Sequence, residues 1–535
     1  MTVAALSPAR SRAAGNPWLV AAVVVVPTFM EVLDTTIAVV ALRYIVGGLS
    51  ATADDGEWVL TSYLAANAII LPITGWLSAH LGRRNYFLAS IAIFTLSALL
   101  CGLAGSLGQL ILFRVMQGLA GGGLQPSSQG VLLDAFPPEK QGVAMTLFGF
   151  AALIAPVIGP TLGGWITDSY SWRWVFLINV PVGLLALAGC YALLRDPDYL
   201  VTQRTELKKQ PFHFDSIGLS LLVIVMVSWE VMLSKGQEWD WLGDPFWRIQ
   251  TLAIFFTVGL VGLIFWELRH RNPVVNFRPL GERNFAACCI IIFCAYLALY
   301  AASTSLPGLL QSLFGYDALS AGLVMSPGGI FAVLAMPIVG RLLGRGTDAR
   351  WLIAAGLLTM SAGNYWMSQL NLDISPWQAV WPRVLVVAGL AICFAPANVA
   401  AYLYTPMALR GAAVGLLSLL RNEGGSVGTS LAQTVQERRD QFHTLRLGEY
   451  LDPFNAAANS FLAHARALFL QQTADPVAAQ HFAWQELENL RQLQASSLAY
   501  FDSFWMVAVL TFAVAFLVLV MKRSVAEKGG HIGVE

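Results

Sequence analysis

From Trp18 onward, long apolar runs alternate with short polar breaks, and those runs define the architecture. A helix that crosses a bilayer needs about 20 mostly apolar residues. Fourteen segments meet this requirement: 18–41, 58–77, 86–104, 108–133, 143–166, 175–194, 217–234, 249–268, 285–307, 319–339, 351–369, 379–401, 412–434 and 504–521. One break is long. Residues 435–503 are polar and helix-prone, punctuated by Pro453 and Pro476, with Phe482, Leu487, Leu490 and Leu493 as a rough apolar stripe. That pattern predicts a helical hairpin outside the bilayer.

Composition agrees with the pattern. Of 535 residues, 56% are hydrophobic and 12% charged, against about 25% charged in a soluble domain. The formal net charge is zero, which removes support for a nucleic-acid partner. The seven His lack metal-ligand spacing,. Cys101, Cys190, Cys288, Cys289, Cys294 and Cys393 all fall in apolar runs, so small apolar fillers are expected and no disulfide framework. Arg10 and Arg12 before an apolar run resemble a signal peptide, but no small-residue cleavage site closes the run. An uncleaved first span is expected.

Charge orients the spans. Lys and Arg collect in alternate breaks, at Arg83 and Arg84, Lys140, Arg195 to Lys209, Arg269 to Arg283, Arg341 to Arg350, and Arg410. The other breaks are acidic, with Asp54, Glu57, Asp168, Glu238 and Asp373. Basic loops stay inside, so both termini are expected in the cytoplasm.

Several spans carry groups that lipid would not tolerate. The first contains "FMEVLDTTIAVV", with Glu31 and Asp34 three residues apart and so on one helix face. The fourth, "LFRVMQGLAGGGLQP", places Arg114 inside the membrane, at about 2.5–3.5 kcal/mol on insertion scales. Such a charge needs a partner, and Asp34 is the natural one. The fifth, "APVIGPTLGGWI", holds Pro156 and Pro160 with Gly159, Gly163 and Gly164, predicting a kinked helix packed closely on a neighbour. The thirteenth, "SLLRNEGGSVGTS", holds Arg421 and Glu423, which either pair across a turn or reach separate partners. "GWLSAHLGRRNYF", with Gly75, Gly82, Arg83 and Arg84, is echoed after span ten by "GRLLGRGTDARWL". Two such turns suggest an internal repeat of the kind transporters use. No phosphate-binding Gly-Lys-Ser/Thr ending is found,.

Together these segments resemble the major facilitator superfamily, specifically its fourteen-span drug:proton antiporters and, among those, the EmrB-like branch. "LDTTIAVVAL", "GWLSAHLGRR", "FRVMQGLAGG", "APVIGPTLGGWI", "WRWVFLINVPVG", "LPGLLQSLFGYDALSAGLVMSPGGI" and "RNEGGSVGTS" carry the resemblance across nearly the whole chain. There are departures. Ala79 stands where the loop motif has an acid, Val39 where the branch has Asn, and Arg43 where it has Pro.

The resemblance implies an all-α polytopic fold of two six-helix bundles, residues 1–194 and 285–535. Residues 195–284 would be a linker carrying two inserted spans, and the hairpin 435–503 would belong to the second bundle. It implies export of hydrophobic or amphipathic compounds across a bacterial inner membrane, by alternating access and proton antiport, with no cofactor and no enzymatic activity. An exporter of one defined metabolite, such as a siderophore or amphipathic acid, is the alternative. A periplasmic adaptor and an outer-membrane channel are the implied partners.

Two close carboxylates in a low dielectric cannot both ionise easily. A carboxyl that exchanges its proton near neutral pH is what proton coupling requires. Asp34 and Glu31, with Arg114 and Glu423, are therefore the expected coupling groups. The resemblance also places an essential acid in span one, at Asp34. For substrate, Tyr63, Phe148, Tyr296 and Tyr300 are aromatic candidates to line the cavity. Thr35, Asn67, Gln117 and Asn398 are the polar ones.

Overall fold

The computed structural model describes residues 16–525, apart from 137–139, 198–199, 203, 206–214, 271–272, 317, 407–408 and 453. Arg10, Arg12, Lys208, Lys209 and Pro453 lie outside the described residues. The N-terminal half comprises α1 (Pro17–Gly48), α2 (Trp58–Leu81), α3 (Arg83–Leu103), α4 (Leu107–Gly121), α5 (Leu124–Ala135), α6 (Gln141–Ser169), α7 (Trp174–Leu177) and α8 (Asn179–Leu193). Two further long helices follow, α9 (Ser216–Lys235) and α10 (Arg248–Arg269). The C-terminal half comprises α11 (Arg283–Ser312), α12 (Ala318–Met325), α13 (Pro327–Gly344), α14 (Ala349–Ser368), α15 (Pro376–Leu403), α16 (Arg410–Gly448), α17 (Ala456–Thr473) and α18 (Pro476–Ala515).

Several helices start where side chains satisfy the free amides of a first turn. Asn16 accepts from the Trp18 amide at 3.1 Å, and Asp215 from the Gly218 amide at 2.8 Å. Ser375 and Gln378 form a reciprocal capping box at α15,. Prolines sit inside several spans, at Pro27, Pro72, Pro307, Pro382 and Pro396. Neighbouring helices and local adjustments make them tolerable in lipid.

Ten helices among the described residues are long and apolar enough to cross a bilayer. Helices also occupy the other four expected positions, as α4 with α5, α6, α14 and α16. The fourth expected span is not one helix. It breaks at Gly122–Gly123, where the backbone approaches Asn67 and Tyr86 so closely that no side chain fits. α6 runs unbroken through positions 156 and 160; the side chains of Pro156 and Pro160 lie outside the described residues.

Within each half the closest packing joins helices that are mostly not neighbours in sequence. α1 lies on α6, α2 on α4, α11 on α16, and α14 on α15. Across the seam between halves, α2 and α5 meet α16, while α6 meets α12, α13 and α15. Small residues permit the closest crossings: a Cβ at Gly118 would fall 2.4 Å from the Tyr63 carbonyl oxygen, and one at Gly428 would fall 2.3 Å from that of Leu297.

Residues 435–503 are helical nearly throughout. α16 has 39 residues, which rise about 58 Å against a hydrocarbon core of about 30 Å. It therefore projects well beyond the bilayer, as does the 40-residue α18. α17 packs on the projecting part of α18 through Leu462, Ala465, Ala483 and Leu487. The long break thus continues two spans and adds one helix between them.

Candidate functional site

The acids of α1 are both buried, Asp34 fully and Glu31 to 3% exposure. They do not form a pair. One helical turn separates them, and each turns to its own set of donors.

Asp34 faces α4 and α8. Its Oδ2 accepts from Arg114 Nη1 at 2.6 Å, and its Oδ1 accepts from Gln117 Nε2 at 3.1 Å and Asn179 Nδ2 at 2.7 Å. Arg114 is equally buried. Its Nε donates to the Val59 carbonyl at 3.1 Å, and Nη1 also donates to Gln117 Oε1 at 2.8 Å. Its guanidinium lies 4.2 Å from the centre of the Tyr63 ring. Only Nη2 makes no hydrogen bond. α4 delivers Arg114 and Gln117 to the same carboxylate because positions three apart share a helix face.

Glu31 faces α2 and α5. Oε1 accepts from Asn67 Nδ2 at 3.1 Å and from the Tyr63 hydroxyl at 3.3 Å. Oε2 accepts from Gln125 Nε2. Gln125 Oε1 in turn accepts from Arg421 Nη2 of α16. The chain Glu31–Gln125–Arg421 therefore crosses from one half of the molecule to the other. Arg421 also lies 5.5 Å from the Phe148 ring centre and 5.8 Å from that of Tyr296.

Those rings form one aromatic group. Phe148 stacks on Phe394 at 6.2 Å, Tyr296 tilts against Phe394 at 6.3 Å, and Tyr296 stacks on Tyr300 at 6.4 Å. Asn398 donates to the Phe394 carbonyl at 2.8 Å, and its own buried carbonyl oxygen has no partner. Thr35 is spent within its own helix, donating to the Val32 carbonyl at 2.7 Å. Of the substrate candidates, Tyr63 and Asn67 thus join Glu31, and Gln117 joins Asp34. Arg421 and Glu423 reach separate partners: Arg421 points to the centre, while Glu423 faces Glu230 of α9.

The motif residues hold the frame around this centre. Gly82, at φ 89°, permits the turn between α2 and α3,. Arg83 pairs with Asp134 and donates to the Gly130 carbonyl at 3.0 Å. The Arg84 amide donates to Asp196 Oδ1 at 2.7 Å. Asp134 and Asp196 thus supply acidic partners that Ala79 does not. Gly75 lies against Gly411 across the seam, and a Cβ there would fall 3.0 Å from the Gly411 carbonyl carbon. Gly159 and Gly163 seat α6 on Thr36 and Ile37 of α1, and Gly164 is buried beside them.

Gln125, Asn179 and Glu230 were not anticipated from sequence. A neutral amide in an apolar helix sends no charge signal, so Gln125 and Asn179 were silent. Glu230 did have a signal, since it is a lone acid within the run 217–234 and carries the same insertion cost as Arg114.

A model of the Major Facilitator Superfamily matches residues 24–429. The multidrug export protein EmrB of Escherichia coli K12 is 35% identical over 509 residues, covering 95% of each chain. The fatty acid resistance protein FarB of Neisseria gonorrhoeae is 35% identical over 436 residues, covering 82% of this chain and 84% of that protein. Among solved structures, the human organic anion transporter MFSD10 superposes with a TM-score of 0.58 at 13% identity, over 94% of this chain and all of that one.

Proposed function

Because the chain belongs to the Major Facilitator Superfamily, we propose that its buried acids couple an inward flow of protons to the export of small molecules. It is an EmrB-like multidrug exporter, a multi-pass protein of the bacterial inner membrane that moves hydrophobic and amphipathic compounds. The proton gradient is its energy source, it needs no cofactor, and both termini face the cytoplasm.

One observation carries the coupling: a fully buried Asp34–Arg114 ion pair one turn from a carboxyl that is wired across the seam. An ion pair with no solvent access has two stable arrangements. With Asp34 ionised, Arg114 is held. With Asp34 protonated, the attraction is gone and the guanidinium is released to repack. Asp34 is thus the main proton carrier and Arg114 its tuning partner. Glu31 reports to the other half through Gln125 and Arg421, so repacking near Asp34 and opening of the seam share one helix. Substrate lies among Phe148, Tyr296, Tyr300 and Phe394, whose faces suit flat apolar compounds. Arg421 at the edge of that group favours a second reading, in which the cargo is an amphipathic acid whose carboxylate meets the guanidinium.

Transport of a lipophilic dye into ATP-free liposomes under an imposed pH gradient tests the energy source. Uptake is expected to follow the gradient. Transport that persists after its collapse and needs ATP overturns the reading. Fatty acids tested in the same vesicles separate the two cargo readings.

α17 and the projecting ends of α16 and α18 dock a periplasmic adaptor that leads to an outer-membrane channel. Their reach beyond the bilayer supports this. Replacing residues 449–475 by a short Gly/Ser linker is expected to abolish resistance in cells while transport in liposomes continues. Loss of both, or of neither, counts against adaptor docking.

A further inference from the structure

The inserted helix α9 grips both halves of the molecule. Toward the N-terminal half, the Ser234 hydroxyl lies 2.5 Å from that of Thr61, and Lys235 Nζ pairs with Glu57 at 2.8 Å. Toward the C-terminal half, Ser430 donates to the Leu233 carbonyl at 2.7 Å, and Ser426 donates to Glu230 Oε1 at 3.1 Å. The loop after α9 continues the grip, with Trp241 donating to Thr434 at 3.1 Å and Asp240 paired with Arg438 at 3.2 Å. An insert that merely filled space between two bundles would not need polar ties to both.

Within this grip lies a pair of acids. Glu230 is 2% exposed and Glu423 is 6% exposed. The Glu423 carboxyl is directed at Glu230 and Trp229, and neither of its oxygens completes a hydrogen bond of good geometry. Ser426, which holds the Glu230 carboxyl, lies three residues from Glu423 on α16, so both buried acids meet at one contact between α9 and α16,. Among the described residues, the surrounding elements offer no neutralising cation to the pair. α16 contributes Ser426 and Ser430 besides Glu423, and Arg421 on the same helix is turned to Gln125. α2 contributes Thr61 and Glu57. α10 contributes Phe256, which stacks on Trp229 at 4.6 Å. Lys235, further along α9, is engaged by Glu57 and, at 2.5 Å, by Glu238. Two bare carboxylates held together without water would repel each other. One proton between them removes the repulsion and places a hydrogen-bond donor between the two carboxyl groups.

We propose that Glu230 and Glu423 share one exchangeable proton and form a second proton site of the transport cycle, which docks the inserted helices on the C-terminal half. This rests on the proton-antiport reading, and it adds a site on a helix that lies outside both bundles. With the proton bound, α9 and α16 are joined by a carboxyl-to-carboxylate hydrogen bond. When the proton leaves, like charges face each other, and the serine ties alone hold the contact. Loss of the proton thus loosens α9 from α16 where α9 also grips α2.

Infrared difference spectroscopy of the full-length protein in lipid vesicles, stepped between acidic and alkaline buffer, tests this directly. The protonated carboxyl stretch of the pair is expected to disappear on alkalinisation. Glu230→Gln and Glu423→Gln should each remove that signal, by the intensity of one carboxyl, and the double variant should remove no more than either alone. A signal untouched by Glu230→Gln, or losses that add in the double variant, would overturn the shared proton. If Glu230→Gln fails to assemble, Glu423→Gln reads the same proton from the other side: loss of the signal supports the proposal and an unchanged signal overturns it. The spectra are repeated on Asp34→Asn. Should that variant transport with normal coupling, the role given to Asp34 fails while the signal of the pair still stands or falls by itself.

Discussion

Asp34 and Glu31 occupy adjacent turns of α1, and both are buried, yet they are held in opposite ways. Asp34 is enclosed within the N-terminal half, where a guanidinium and two amides, from Arg114, Gln117 and Asn179, saturate it. Glu31 is held by neutral donors of its own half, and the guanidinium nearest it belongs to the other half, one glutamine away. In the proposed cycle the first arrangement stores a charge state, and the second registers whether the halves are together. A single rigid helix carries both, so a change at one acid can bias the other without a separate relay. The difference also predicts how each site fails. Removing Arg114 strands a buried carboxylate and should cost folding, whereas neutralising Asp34 mimics the protonated state that the proposed cycle itself visits,. Damage around Glu31 cuts a link between bodies that are each still packed, so it should cost transport first.

The largest expected effect is that of Arg114→Ala. It strips Asp34 of its ion pair inside the membrane, and breaking a buried pair costs roughly 3–5 kcal/mol,. Yield of folded protein and thermal stability in detergent should both collapse. Restoring them with the double variant Arg114→Ala/Asp34→Ala would confirm that the stranded charge is the cause. Asn179→Ala should cost less, about 1.5–3 kcal/mol for one hydrogen bond to a charged group, because Arg114 and Gln117 still hold the carboxylate. Gln125→Ala is the matching lesion on the Glu31 side. It should change stability by about 1 kcal/mol or less, while transport under a pH gradient falls several-fold. Equal damage to stability by Arg114→Ala and Gln125→Ala would erase the distinction between the two acids.

A remote position calibrates the scale. Asp348 caps α14 and accepts from Arg350 Nη2 at 2.7 Å and from the Ser524 amide at 3.1 Å. Burial works against its charge, but these hydrogen bonds prevail and hold its carboxyl below the usual range. A carboxyl held low stabilises the fold above the ordinary carboxylate range, and that contribution fades as pH falls through the folded value. Asp348→Ala should cost about 1 kcal/mol, as a lost cap does, and leave the pH profile of transport unchanged. A shifted profile would mean that the turn between α13 and α14 takes part in coupling.

Much of this was legible in the chain itself. Apolar run length gave the positions of the spans, and a charge inside a run identified Asp34, Glu31 and Arg114, because only a partner or a task justifies it. The break at Gly122–Gly123 was not legible, since a glycine cluster reads equally as close packing within one helix. Nor was the division of labour on α1. Spacing put Glu31 and Asp34 on one face, but which neighbour each meets depends on how α2, α4, α5 and α8 are arranged around it. Gln125 illustrates the limit most clearly. It joins the two halves through two hydrogen bonds, and nothing in its local sequence distinguishes it from an ordinary polar residue at a helix break.

The central claim is that Asp34 exchanges a proton as part of transport and does not merely pin α1 to α4. It is tested most directly on one purified variant, Asp34→Asn, by measuring binding of a lipophilic dye and dye-driven proton movement in liposomes. Asn keeps the shape and can still accept from Asn179 and Gln117, but it cannot titrate. The account predicts folded protein that binds dye and moves no protons in response. Wild-type coupling in Asp34→Asn would contradict it and leave the proton to Glu31 or to the pair on α9 and α16.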